Sequence, residues 1–147
     1  MNSLWNQECR DTLFARLEQL KPNATARWGK MNAPQMLAHL NEAMKMSTGE
    51  LQVTGRKTPL RYPGIKHLII YGPPFPKGAP TAPELIVGEP TDWNAAKEEL
   101  RRLIDEFGAQ PATKPSPEHP AFGKMSRKLW GALTHKHIDH HFQQFGI

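Results

Sequence analysis

Two proline-rich runs limit what this chain can fold into. GPPFPKGAPTAP, Gly72 to Pro83, has four prolines after Gly72 and Pro73, and AQPATKPSPEHP, Ala109 to Pro120, is of the same kind. Proline lacks a backbone N–H and clashes with the preceding helical turn, so neither run can be helix interior or central strand. Both must be irregular. A connection as long as Gly72 to Pro83 is functional or packs as a cover, and its hydrophobic residues argue against a disordered linker.

The rest of the chain carries helical periodicity. Ser3 is placed to cap a first helix running to about Leu20, in which Trp5, Cys9, Leu13, Leu17 and Leu20 recur at helical steps. Lys21-Pro22-Asn23 ends it. A second helix starts at Asn32-Ala33-Pro34-Gln35, with Asn32 as N-cap and Gln35 completing a capping box, and stops at Gly49. Between Leu60 and Tyr71 a short helix is expected after Pro63. Thr91 caps a third long helix through Phe107, with Gly108 as its stop. Ser126 caps the last, which runs to about Phe145 before Gly146. Four long amphipathic helices and no convincing strand pair predict an all-α four-helix bundle, with a long proline-rich connection between the second and third long helices. At 147 residues the chain fits one domain, residues 1–147, with a core that needs no staples.

Several function classes drop out on composition. No apolar stretch approaches the ~18 residues of a membrane span, and His67-Leu68-Ile69-Ile70-Tyr71 is far too short. MNSLWNQECRD has early acidic residues and no apolar h-region, so it does not read as a signal peptide. Cys9 is the only cysteine, which excludes an internal disulfide. These features point to the cytoplasm. The formal charge of +5 is spread over dispersed pairs such as Arg56 and Lys57 or Arg101 and Arg102, the pattern of a solvated surface and not of a nucleic-acid binder.

The histidines carry the chemistry. Four of seven fall in HKHIDHHFQQFG, His135 to Gly146. At about 100° per residue, Trp130, Leu133, Thr134, His137, His141 and Gln144 share the inner stripe of the last helix. Lys128, His135 and Asp139 fall on the far side, which exposes His135, while His140 lies on the flank. In the second helix Met36, His39, Ala43 and Met46 form one stripe, opposite Asn41 and Lys45, so His39 also points inward. A single inward histidine is ordinarily a core residue satisfied by hydrogen bonds. Three buried imidazoles without a cation would need several partners each. Two at i and i+4, with a third from a neighbouring helix, are also the makings of a metal site.

Trp28-Gly29-Lys30-Met31-Asn32-Ala33-Pro34-Gln35-Met36-Leu37-Ala38-His39 resembles the start of the second helix of DinB/YfiT-like proteins. His137-Ile138-Asp139-His140-His141-Phe142-Gln143-Gln144 resembles their last-helix motif, H-x-x-H-H-x-x-Q. HPAFGKMS, His119 to Ser126, and the ending QFG are similar to a branch of that superfamily with no assigned function. The resemblance implies a four-helix bundle holding a divalent transition metal, often nickel or zinc, through His39, His137 and His141. Many members have glycine before the final glutamine, where this chain has Gln143. Three protein ligands leave a coordination position open, as catalytic sites do.

Relatives with known activities include thiol-dependent S-transferases and a thiol-dependent isomerase. The resemblance therefore implies a metal that activates a low-molecular-weight thiol cosubstrate toward a small-molecule electrophile, with hydrolysis of small amides or esters as the close variant. A non-enzymatic metal-binding or stress-associated module is the alternative. Glu42, one turn after His39, can orient a ligand imidazole or accept a proton, or be a solvated carboxylate. His140 can shuttle a proton or lie at the surface, and Gln144 can bond the surroundings of His141 or a substrate. Trp28 and Trp130 read as core or pocket wall, His119 as the start of a His-Pro turn, and Cys9 as a buried apolar residue. A homodimer is the expected assembly for a bundle of this kind.

Overall fold

Local chemistry places each helix start in the computed structural model, which describes residues 1–79 and 81–147. The first helix, α1 (Gln7–Gln19), is capped by Asn6 and not by Ser3. The Asn6 side chain accepts from the Cys9 N–H at 3.3 Å, whereas Ser3 Oγ is used one turn earlier, by the Trp5 N–H. The Ser3–Trp5 stretch is held against the last helix instead, since Leu4 N donates to Gly131 O at 3.0 Å. Cys9 is partly exposed, not buried, and Leu13, Leu17 and Leu20 carry the inner stripe.

The second helix, α2 (Ala33–Thr48), keeps both expected ends: the Asn32–Gln35 capping box is formed, and Gly49 closes it in the left-handed conformation at φ 86°. A 3-10 turn at Pro59–Arg61 leads into α3 (Pro63–Tyr71), the short helix expected after Pro63. The run Gly72–Pro83 is irregular at its described residues until a second 3-10 turn, Pro83–Leu85, begins; Pro80 lies outside the described residues. Asp92, one residue past Thr91, caps α4 (Trp93–Ala109) by accepting from the Ala95 N–H at 3.0 Å. That helix passes through Gly108 and ends at Gln110, ahead of Pro111. Gly108 serves packing: a Cβ there would come within 2.5 Å of the buried Arg10 guanidinium. Ser126 caps α5 (Arg127–Gln144) as expected.

Among the described residues there are five α-helices and no β-strand, the one backbone bridge joining His119 to Gly123. No helix among the described residues is long and apolar enough to cross a membrane. The four long helices contact one another around a ring, α1 to α4, α4 to α2, α2 to α5 and α5 to α1. Trp130, Phe107, Phe142, Met36, Leu37 and Leu40 fill the space between them and are at most 1 % exposed.

Two expectations drawn from helical wheels fail, for one reason. Asn41 does not face solvent: its Nδ2 donates to the Ala96 carbonyl of α4 at 3.1 Å, because α2 is enclosed by α4 as well as α5. His135 is only 7 % exposed, although it lies opposite the inner stripe. The end of α3 and the N-terminal residues cover that side of α5, with Met1, Asn2, Ile70 and Tyr71 grouped around Ala132, His135 and Asp139. A wheel assigns one buried face, and these helices have two.

Candidate metal centre

The Asn32–Gln35 box fixes where α2 begins and therefore the phase at which His39 emerges toward α5. There it meets His137 and His141, one helical turn apart on α5. The three Nε2 atoms converge: His39 to His137 is 3.0 Å and His141 to His137 is 3.1 Å. One ligand atom from each residue can be chosen so that all lie within 4.8 Å of one another. Nitrogen atoms bound to one tetrahedral zinc at about 2.0–2.1 Å would be separated by roughly 3.3 Å, so the spacing suits a common ion.

Hydrogen bonding fixes the tautomers. His39 Nδ1 lies 2.8 Å from the Leu85 carbonyl, which can only accept, so this nitrogen carries the proton and Nε2 the lone pair. Gln144 Nε2 donates to the Trp28 carbonyl at 2.8 Å, which leaves its Oε1 facing His141 Nδ1 at 2.7 Å. His141 Nδ1 must therefore donate, and its Nε2 also presents a lone pair. His137 Nε2 sits between these two lone pairs. A proton there could satisfy only one of them, and without it three lone pairs would face each other. The arrangement resolves when a cation accepts all three, so the cluster can hold a metal ion.

Electrostatics support the same state. Burial lowers the pKa of His39, partly offset by its bond to Leu85. Burial, reinforced by neighbouring histidines, takes His141 down to about 3 and His137 well below the ordinary imidazole value. All three rings are neutral near pH 7, the form that ligates. His39 and His141 are buried, whereas His137 is partly exposed.

The other candidate residues divide. Gln144 is bonded to His141 and 3 % exposed. His140 stands beside the cluster, its ring 5.2 Å from that of His141, 5.4 Å from Trp28 and 5.8 Å from Phe75 of the proline-rich run. Its pKa is lowered, chiefly by burial. Glu42 pairs with Lys45 at 3.0 Å, and the Leu85 carbonyl takes the orienting role at His39 that Glu42 was a candidate for. His135, though buried, is outside the cluster. His119 accepts the N–H groups of Ala121 and Phe122 in the turn expected of it.

Sequence reasoning missed the two carbonyls, Leu85 and Trp28, because backbone acceptors leave no mark in a residue pattern. One signal was present. Gly29 has φ 81°, and a Cβ on it would come within 2.7 Å of Gln144 Nε2. The glycine of the Trp28-Gly29 pair thus clears the space in which Gln144 reaches the Trp28 carbonyl.

Comparison with curated proteins and with solved structures returned no match for this chain. One family model does match, over residues 5–146, and by it the chain belongs to DUF1569, a family described as protein of unknown function.

Proposed function

We propose that this chain is a DinB-like four-helix bundle that binds one divalent transition ion, nickel or zinc, through His39, His137 and His141, and uses it to join a small thiol to a small electrophile. The observation that carries the reading is the pair of fixed lone pairs, on His39 and His141, aimed at the nitrogen of His137. The ring of contacts among α1, α4, α2 and α5 supports the bundle. Neutral imidazole donors suit late transition metals, and no thiolate joins the set, since Cys9 is not among the clustered residues. An ion held by three protein ligands would keep an open position and supply a Lewis acid that lowers the pKa of a thiol or water bound there.

The protein's own groups do the rest. Leu85 and Gln144 hold the protons of His39 and His141 on Nδ1 and so keep both Nε2 atoms available. Trp28 and Phe75 wall the flank on which His140 stands. In the transfer, a sulfur–carbon bond forms as the electrophile's leaving group departs with the bonding pair. A ring nitrogen of His140, neutral near pH 7, takes the thiol proton.

Protein purified without a metal-affinity tag should contain about one transition ion per chain by elemental analysis, and His39→Ala should lose it. Metal-loaded protein mixed with a low-molecular-weight thiol and an alkylating electrophile should form the thioether faster than the His39→Ala variant does. Equal rates would remove the enzymatic half of the proposal, and a metal-free native protein would remove all of it.

A further inference from the structure

The turn His119-Pro120-Ala121-Phe122-Gly123 has no part in the metal cluster, yet it is tied closely to the segment between α2 and α3. Pro120 O accepts from Arg56 N at 2.7 Å and Ala121 O from Thr58 Oγ1 at 2.8 Å, while one residue past the turn Lys124 O accepts from Lys66 of α3. Between the two lies a cavity of about 350 Å³. We propose that this cavity is a binding site for a small monocarboxylate.

Two donors face it. The Arg61 guanidinium is held by the Arg56 carbonyl through Nε at 2.7 Å and weakly by Pro120 O through Nη2 at 3.4 Å. It makes no ion pair among the described residues. Two glycines make room for it: a Cβ on Gly123 would come within 2.6 Å of Nη1, and one on Gly55 within 3.2 Å of Nη2. The second donor is His119. Its Nδ1 accepts the N–H groups of Ala121 and Phe122 at 3.0 and 3.2 Å, so the proton of the neutral ring is on Nε2. The ring stays neutral because burial, aided by the charges of Arg61 and Lys66, lowers its pKa to about 4. Among the described residues no protein acceptor meets that Nε2 proton.

A positioned guanidinium and a neutral N–H donor match a single carboxylate. Met46, Leu51, Val53 and Pro117 add apolar patches to a wall that is otherwise polar, and the volume lies within the range of small-molecule sites. A phosphate dianion would need more positive charge than one guanidinium provides, and Glu118, the one acid of the lining, opposes it further. Glu118 is exposed, so water screens it from a singly charged ligand.

The test is calorimetric titration of the full-length protein with hexanoate, with its neutral isostere hexanamide, and with inorganic phosphate. Hexanoate should bind about tenfold or more tightly than hexanamide, the worth of a charge-assisted hydrogen bond. Phosphate should not compete. Arg61→Gln should erase the preference for acid over amide. Should that variant fail to fold, Arg61→Lys, which keeps the charge and loses the fork, should retain only part of it. His39→Ala should bind hexanoate like the native protein. Equal binding of acid and amide, no binding of either, or undiminished binding in the Arg61 variants would overturn the proposal. So would loss of binding in His39→Ala, which would place the carboxylate at the histidine cluster, or competition by phosphate.

Discussion

Gln144 gives the sharpest test of the metal centre, because its two hydrogen bonds separate tautomer control from packing. Gln144→Met keeps the volume and removes both bonds, leaving His141 Nδ1 and the Trp28 carbonyl without partners. Orphaning a buried polar group costs about 1–3 kcal/mol, so the metal-free protein should lose roughly 2–6 kcal/mol of stability. The His141 proton is then free to move to Nε2, the nitrogen needed for ligation. Losing such an outer partner typically costs 10–100-fold in metal affinity, or about 1.4–2.7 kcal/mol. Gln144→Glu separates the two effects. Its carboxylate still accepts from His141 Nδ1 and makes the ring more basic, but it cannot donate to Trp28 O. Stability should fall while zinc affinity holds or rises. The assays are urea unfolding for stability and competition against a chromophoric chelator for zinc. If Met and Glu at this position shift zinc affinity equally, or if neither shifts it beyond twofold with the fold intact by circular dichroism, the tautomer argument is wrong.

Three further outcomes follow from the same structure. Gly29→Ala puts a Cβ against Gln144 Nε2 at a left-handed backbone position, and should cost about 1–2 kcal/mol in strain together with a fall in zinc affinity in the same direction as Gln144→Met. Acid should destabilise the metal-free protein: His141 and His119 titrate near 3 and 4 when folded but near the ordinary 6.5 when unfolded, so the unfolded chain binds more protons in between. Their contribution is intact above pH 6.5 and lost as pH falls toward 4; at pH 4.5 two such groups together remove on the order of 5 kcal/mol relative to pH 7.5, which urea titrations at both values would detect, and equal midpoints would refute it. Leu40→Ala, at a fully buried position of α2, should cost about 2–5 kcal/mol by thermal or urea unfolding.

What the sequence reveals follows from how local each signal is. The α2 capping box, the Gly49 stop and the Ser126 cap involve residues at most a turn from the ends they set, and they stand where the residue pattern puts them. His137 and His141 pair through the helical repeat alone, and His39 shares its stripe with Met36 and Met46. The failures are tertiary. Nothing near Asn41 announces that α4 will offer it the Ala96 carbonyl, and nothing near His135 announces that α3 will cover it. The caps of α1 and α4 fall three residues and one residue past the expected Ser3 and Thr91, on Asn6 and Asp92, whose side chains accept the N–H three residues on. Leu85 is the extreme case, an ordinary leucine whose importance to His39 lies entirely in its carbonyl.

The placement of the clustered histidines also bears on how the protein comes apart. His39 and His137 are 98 residues apart in the chain, and they join α2 to α5. A sequence with one cysteine has no internal disulfide, but an ion shared by these two helices is a covalent staple's reversible counterpart. It closes a loop of about 100 residues, a length for which a permanent cross-link is worth roughly 4.7 kcal/mol of chain entropy. Unfolding would then have to wait for the ion to leave. With such an ion bound, the lifetime of the folded chain would depend on metal supply, and a chelator would act as a denaturant.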